Sequence, residues 1–366
     1  MPKLKTILSK DNLSRQDIIY LLSLENKSEI EELFSYANDL TKKVLGQNVY
    51  LRGLIEFSNI CSRDCKYCGI RKSNTEVERY TMKMEEISQA AQWIYEQGFG
   101  SLVLQSGERS DPEFLAFVDN ILNSINKISN NELGITLSIG EQTQETYDKW
   151  YKFGAHRYLL RVETTNADLY QKIHPASHSL KERVRALERI QKSGYQVGTG
   201  VMIGLPGQTI QDLANDIIFM KEKDIDMIGM GPYIPHKNTP LNKIVKNFDA
   251  QKQLQLALKM IAVTRIFLPD VNIASTTALG ALSDKGKGKA LLCGANVIMP
   301  NLTPRKYQEN YKLYENKPAF LASYKKDFEK LKEEIRSNRK KIGFNKWGDS
   351  PHYFKRTGQE RNQFQA

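Results

Sequence analysis

The loop Cys61-Ser62-Arg63-Asp64-Cys65-Lys66-Tyr67-Cys68 gathers three of the chain's four cysteines. Three thiolates at this spacing can hold three irons of a 4Fe–4S cluster, leaving the fourth iron free to bind a small molecule. Open coordination is where metal chemistry happens, whereas a closed shell is structural. Other uses of the loop fit less well. Structural zinc favours two C-x-x-C pairs, and neither a second pair nor a His at finger-like distance is present. A disulfide set does not suit so few cysteines behind a start, Met1–Lys10, that lacks an apolar signal core. A reducing, cytoplasmic location is expected.

Size and composition allow a large folded body around such a loop. The 366 residues are 40% hydrophobic, enough for one large α/β domain or two small ones. No run of eighteen apolar residues exists, so no membrane span is expected. The formal net charge is +11. Much of the excess lies in Lys325, Lys326, Lys330, Lys332, Arg336 and Arg339–Lys341, interleaved with Asp327, Glu329, Glu333 and Glu334 as on a solvated helix. No RNA-binding aromatic motif accompanies it, so no nucleic-acid partner is expected.

The elements that must position the loop are legible in the periodicity. Residues 1–48 read as a helical cover. Ser28-Glu29-Ile30-Glu31 reads as a capping box, followed by Ile30, Leu33, Phe34, Ala37 and Leu40 at helical spacing, with Gly46 to end the helix. Eight short apolar, β-rich runs follow: Val49–Phe57, Ser101–Leu104, Gly134–Leu137, Arg157–Leu160, Val197–Ile203, Met227–Met230, Asn272–Ala274 and Ala295–Met299. Amphipathic helices such as Glu85–Gln97 and Leu180–Ser193 lie between them. Alternation of this kind predicts parallel, buried strands. Eight units predict a complete (β/α)8 TIM-type barrel over 49–320, with a charged helical extension over 321–366. A doubly wound sheet would need fewer units and a glycine turn after the first strand, where the cysteine loop stands instead.

In such a barrel chemistry gathers at the carboxyl ends of the strands. The expected rim is the cysteine loop, Gln105–Glu108, Ser138–Glu141, Arg161–Thr164, Gly204–Thr209, Gly231–His236, Ser275–Ala278 and Pro300–Pro304.

The pattern C-x-x-x-C-x-aromatic-C, with Tyr67 before the third cysteine, resembles the signature of radical S-adenosylmethionine (SAM) enzymes. That resemblance implies SAM on the open iron and gives the rim residues candidate roles. Glu108 or Glu141 would accept from ribose hydroxyls or the amino group, and each equally suits an exposed loop carboxylate. Ser106-Gly107-Glu108 resembles the Gly-Gly-Glu element that holds the methionyl amine, with Ser106 departing from it. Gln105 and Ser138 lie in the same loops. Glu163 is a candidate ribose or sulfonium partner. Arg183 would fork onto the SAM carboxylate, or be a surface helix arginine. Gly204-Leu205-Pro206-Gly207 would approach adenine, or simply turn. Arg161 would meet an anion, or close a salt bridge within the rim. Thr276, Thr277 and the Ala278 amide form a nest for a carboxylate, or a capped helix start. Tyr311 and Tyr314 would cover the pocket, or pack in the core. Cys293 reads as a small buried hydrophobe rather than a fourth ligand.

Five segments narrow the resemblance: Ile55–Asn59, Val103–Glu108, Tyr158–Arg161, Gly204–Thr209 and Cys293–Asn301. Together they are similar to the radical SAM maturases of FeFe-hydrogenase, over about residues 10 to 320. Biotin synthase and methylornithine synthase resemble cousins with the same barrel. The resemblance implies one 4Fe–4S cluster held by Cys61, Cys65 and Cys68, reductive SAM cleavage, and action in assembly of the two-iron centre. It implies an anionic organometallic iron substrate held by Arg161, Thr276, Thr277 and Ala278, with Tyr311 and Tyr314 as lining. The implied partners are the tyrosine-lyase maturase, the scaffold GTPase maturase and a reductant such as ferredoxin or flavodoxin. Some members carry a second iron–sulfur site near the C-terminus; around Pro318 this chain has no thiol, so only one cluster is expected. Other readings are an amino-acid mutase such as methylornithine synthase, or an iron–sulfur carrier or scaffold. The mutase would need an acid for an α-ammonium group, and the last loop, Met299–Pro304, offers none.

Overall fold

A computed structural model describes residues 2–317 and 324–360. Pro318, where the sequence offers no C-terminal thiol, lies outside the described residues. The strands are β1 (Asn48–Ser58), β2 (Ser101–Ser106), β3 (Gly134–Ser138), β4 (Ala155–Leu159), β5 (Gln196–Thr199), β6 (Met202–Ile203), β7 (Met227–Ile228), β8 (Gly231–Pro232), β9 (Asn272–Ser275), β10 (Val297–Ile298) and β11 (Lys341–Ile342). All pairings are parallel, and β10 closes onto β1 through Tyr50↔Val297 and Leu51↔Ile298. With β5/β6 and β7/β8 each acting as one stave, the result is the expected closed eight-stave barrel.

The predicted strand Val197–Ile203 is split into β5 and β6, and Met227–Met230 stops at Ile228, with β8 resuming at Gly231. The cause lies in two facing glycines. A Cβ on Gly200 would sit 2.1 Å from Gly229 O, so the staves approach more closely than side chains allow. Gly200 O also accepts both Val162 N and Glu163 N (3.1 and 3.0 Å), a bulge-like pairing that turns Glu163 towards the barrel mouth.

Alternation along β1 sorts its side chains. Arg52, Leu54 and Glu56 line the barrel's inner cavities, while Ile55 and Phe57 belong to the core between strands and helices. Phe57 stacks on Phe114 of helix Pro112–Ser129. Helix Met84–Glu96 buries Ile87, Ala90, Ala91 and Ile94 against the barrel.

The N-terminal cover is three helices, Pro2–Leu8, Arg15–Leu22 and Lys27–Leu45. The expected capping box at Ser28–Glu31 is corrected: Asn26 caps this helix, its side chain accepting from Ser28 N and Glu29 N. Asparagine outcompetes the later serine because the helix has already begun by Ser28. Gly46, at φ +77°, ends it as expected. Buried Lys259 fastens the cover by donating to Leu22 O and Leu24 O.

The C-terminal stretch differs from a solvated extension. Helix Tyr324–Ser337 buries Phe328, Leu331 and Ile335, a stripe that the dense charges around it obscure. β11 then pairs with the start of β1. Residues 347–350 plug the amino-terminal end of the barrel. Asp349 forms an ion pair with Arg157, both side chains fully buried. Gly348 O accepts from Arg52 and Asn272 (3.3 and 2.7 Å), and Trp347 O accepts from Ser101 (2.9 Å).

Candidate metal centre and substrate chamber

The cysteine loop leaves the end of β1 and is held from several sides. Ser62 N and Oγ both donate to Glu108 O at 2.9 Å. Lys66 N donates to Ile173 O, and Gly69 N to Leu313 O. Arg79 donates to Asn59 O, Ile70 O and Arg71 O, gathering the loop's flanks. A Cβ on Gly107 would lie 2.3 Å from Ile60 O, so only glycine lets the β2 loop press on this one.

The three thiols fit a cluster better than a single ion. Ligands of one ion would lie within 4.8 Å of one another, and the cysteine triad forms no such group among the described residues. Each thiolate of a 4Fe–4S site binds a different iron, which requires that wider spacing. Burial pushes the Cys61 thiol up, the Cys65 thiol up to about 12, and the Cys68 thiol higher still. These sulfurs therefore need bound metal to ionise. Arg63 N and Glu108 N point at Cys61 Sγ (3.4 and 3.3 Å), N–H contacts of the kind that tune cluster potentials. Cys65, His174 and His178 do lie close enough to share an ion. There Arg183 opposes a cation, and His174 is committed elsewhere. Its Nδ1–H donates to Tyr170 O, so Nε2 accepts from Tyr67 Oη (3.3 Å) and orients that ring.

Beside the cluster loop lies a network of charge. Arg63 Nε meets Glu108 Oε1 at 2.5 Å; Arg183 lies 2.9 Å from Glu141 Oε1 and 3.8 Å from Glu108 Oε2. Arg183 is buried rather than on the helix surface. Burial opposes its charge, but Glu108 and Glu141 outweigh it and hold Arg183 firmly protonated. Burial raises the carboxyls of Glu141 and Glu163, against the pull of nearby arginines. Glu163 sits at φ +64°, strained for a non-glycine residue, and forms an ion pair with Arg161 at 2.9 Å. Arg161 Nη2 also donates to Val201 O. Arg161 thus closes a salt bridge within the rim while lining the chamber.

A cavity of about 290 Å³ opens beside these groups. Its wall brings together all three cysteines with Tyr67, Gln105, Ser106, Gly107, Glu108, Ser138, Arg161, Glu163, Arg183, Thr276, Thr277, Ala278, Tyr311 and Tyr314. Glu141 stands behind the wall, reached through Arg183. Gly204 and Leu205 are not on it: both amides donate to Gln208 Oε1, and Leu205 is buried. The segment forms a tight turn on its own Gln208. Thr276 precedes helix Thr277–Leu282 without capping it, and its buried Oγ1 has no hydrogen-bond partner. Thr277 Oγ1 lies 2.9 Å from Tyr314 Oη, and Tyr311 Oη accepts from Gln105. Cys293 lies in the apolar core, as expected.

Sequence reasoning missed Arg63, His174, His178 and a buried ion pair between Glu56 and Lys317 on the chamber wall. Glu56 was findable, because it alternates with Leu54 on a strand whose other face is core. Asn301 and Lys317 both donate to its carboxylate.

A model of the radical SAM superfamily matches residues 55–220. The chain is 42% identical to the [FeFe] hydrogenase maturase subunit HydE of Thermotoga maritima, over 87% of this chain and 88% of that protein. It is 28% identical to 3-methylornithine synthase of Methanosarcina acetivorans, over 92% and 90%. The crystal structure of methylornithine synthase (PylB) superposes with a TM-score of 0.81 at 25% identity, covering 93% of this chain and 97% of that one. Radical SAM enzymes use a 4Fe–4S cluster and SAM, and the thiol triad fits that cluster. The chain belongs to the radical SAM superfamily and, within it, to the HydE family of hydrogenase maturases.

Proposed function

We propose that this protein is a radical SAM enzyme that acts in assembly of the two-iron centre of FeFe-hydrogenase. The observation that carries the reading is a single chamber with the thiol triad at one end and the Arg161, Thr276–Ala278 group on its wall. When bound and reduced, the cluster would supply the electron that splits SAM into methionine and a 5′-deoxyadenosyl radical. The chain's own residues do the rest. Cys61, Cys65 and Cys68 hold the cluster. Glu108 and Arg183 carry opposite charges suited to the ammonium and carboxylate of SAM, with Glu141 and Arg63 holding them in place. Glu163 faces ribose or sulfonium, and Tyr67 is fixed by His174.

Arg161, Thr276, Thr277 and Ala278 receive an anionic organometallic iron compound, and the orphaned Thr276 hydroxyl donates to it. Tyr311 and Tyr314 close the chamber and exclude water, which shields a radical from side reactions. Segment 1–48 acts as cover and 49–320 as catalytic barrel, and within 321–366 residues 347–350 close the barrel floor. The tyrosine-lyase maturase supplies the substrate, the scaffold GTPase maturase receives the product, and ferredoxin or flavodoxin supplies electrons in the cytoplasm. Among the described residues no helix is long and apolar enough to cross a membrane.

One observation favours a second reading. The absence of an acid in the last loop does not exclude an amino-acid mutase, because Glu56 and Glu163 both line the chamber. The higher identity to HydE than to methylornithine synthase favours the maturase. A mere carrier would have no use for the chamber. The test is reconstitution with iron and sulfide under argon, then SAM and dithionite. 5′-Deoxyadenosine is expected; its absence from fully loaded protein would overturn the enzyme reading.

A further inference from the structure

The cluster loop is exposed at Ser62 and half-buried at Lys66, where it forms a seam with two other elements. Lys66, between Cys65 and Cys68, donates its N–H to Ile173 O (2.9 Å) and accepts from Leu241 N at its carbonyl (3.0 Å). The loop is therefore stitched between helix Ala167–Ile173 and the 3-10 turn Pro240–Ile244. Beneath the seam Tyr67 packs on an apolar cluster separate from the main core, formed with Leu169, Ile173, Met202, Tyr233 and Leu241. The outer side of the same turn is unusual. Ile244 is 62% exposed, the most of any large apolar side chain among the described residues, and Phe248 is 42% exposed.

Five lysines lie on the elements of the seam or within a few residues of them: Lys66 in the loop, Lys172 in helix Ala167–Ile173, Lys243 in the turn, and Lys237 and Lys246 on either side of it. None forms an ion pair among the described residues. The acids on or against these segments are few, and Asp64, in the loop itself, is paired with Arg71. Asp249 caps helix Ala250–Phe267 through Gln251 N and Lys252 N, Glu315 accepts from Lys237 N, and Asp168 is exposed. Exposed apolar side chains in segments rich in unpaired like charges mark an interaction face for an oppositely charged partner.

We propose that this face docks a small acidic one-electron carrier, which reduces the cluster through the Cys65–Cys68 edge of the loop. The inference rests on the radical SAM reading, whose chemistry draws one electron from outside the protein. In the step the carrier loses that electron and the cluster gains it, with no bond made or broken. Electron transfer falls steeply with distance, so the carrier must sit where the cysteines approach the surface. The seam at Lys66, between the half-buried Cys65 and Cys68, is one such place, and its charge selects an acidic partner. Ile244 and Phe248 supply the apolar centre of the contact, and the lysines its rim.

The test compares K237E/K243E/K246E with a control of equal charge change far from the loop, K325E/K330E/K341E. Reduction of the reconstituted cluster by reduced flavodoxin or ferredoxin is followed optically over a range of salt. In the seam variant the second-order rate is expected to fall about tenfold or more and to lose its salt dependence. Reduction by dithionite should not change. Calorimetric titration with the oxidised carrier reads the surface without turnover, and should lose affinity in the seam variant alone. An unchanged carrier rate and affinity, or an equal loss in the control, would overturn the proposal. Failure of dithionite to drive SAM cleavage would instead overturn the enzyme reading, while the calorimetric result would still decide the surface.

Discussion

Both ends of the barrel bury an arginine against a carboxylate, yet the two ends are built for different tasks. At the floor, Arg157 and Asp349 are wholly buried, and the chain's own residues 347–350 fill the opening. A cavity of about 20 Å³ lies inside, too small for any substrate. At the mouth, Arg183 sits between Glu108 and Glu141 beside a chamber of about 290 Å³. There Thr276 Oγ1 is buried without a partner, and Glu163 holds a strained backbone. A charge pair closed by the chain itself serves stability. Buried atoms without a partner occur at both ends, Arg157 Nη1 and Asp349 Oδ2 among them; what sets the mouth apart is that its charge group and its strained Glu163 face an open chamber, as a ligand site does.

Breaking the floor should have the largest effect on stability. Asp349→Asn leaves Arg157 charged and buried, and should cost about 3–5 kcal/mol in a urea titration. Burial opposes ionisation of Asp349, but Arg157 outweighs it and holds the carboxyl well below its ordinary value. Its stabilisation is thus fully present above that ordinary value and fades only as pH falls through the lower folded value. The native floor should therefore be indifferent to pH near neutrality.

At the mouth, Arg183→Gln should weaken SAM binding about 30-fold or more, since Glu108 and Glu141 would face the ligand without their cation. Isothermal titration of the reconstituted protein reads this, and unchanged affinity would remove Arg183 from the SAM site. Thr276→Val should act in the opposite direction to the floor variant. Deleting an orphaned hydroxyl should leave stability unchanged or raise it by about 1 kcal/mol, seen as a higher melting temperature. A clear loss of stability would mean that Thr276 serves the fold rather than a ligand.

The smallest effect belongs to the floor's outer rim. His352 is raised above its ordinary value, first by its hydrogen bond to Asp270, against burial. A raised histidine stabilises fully below its unfolded value near 6.5 and loses that contribution as pH rises through its folded value. Stability should decline slightly as pH rises from about 6.5 through that value. His352→Gln should flatten the decline, and an identical profile in the variant would remove this contact from the ledger.

The mouth was more legible in the sequence than the floor. Cysteine spacing and strand-end position are local signals, so Cys61, Cys65, Cys68 and most of the chamber wall could be placed from sequence. The floor depends on pairs far apart in the chain, such as Arg157 with Asp349, which no window spans. Its helix, Tyr324–Ser337, also hid Phe328, Leu331 and Ile335 among lysines and glutamates. The split staves required knowing that Gly200 would face Gly229. Gly204 and Leu205 could be read either way, because a glycine turn has the same spelling whether it cradles a ligand or binds its own Gln208. Lys317 carried no signal, since nothing in a loop says which carboxylate it will reach.

The most direct measurement is iron and sulfide content, with the electron paramagnetic resonance spectrum before and after SAM, across four cysteine variants. Cys293→Ala should load its cluster like the unaltered protein and show a signal changed by SAM, because Cys293 lies in the apolar core. Cys61→Ala, Cys65→Ala and Cys68→Ala should each lose the cluster while the rest of the barrel stays folded. Full loading and a SAM response in any of those three, or loss of iron in Cys293→Ala, would contradict a single open-iron cluster at the barrel mouth.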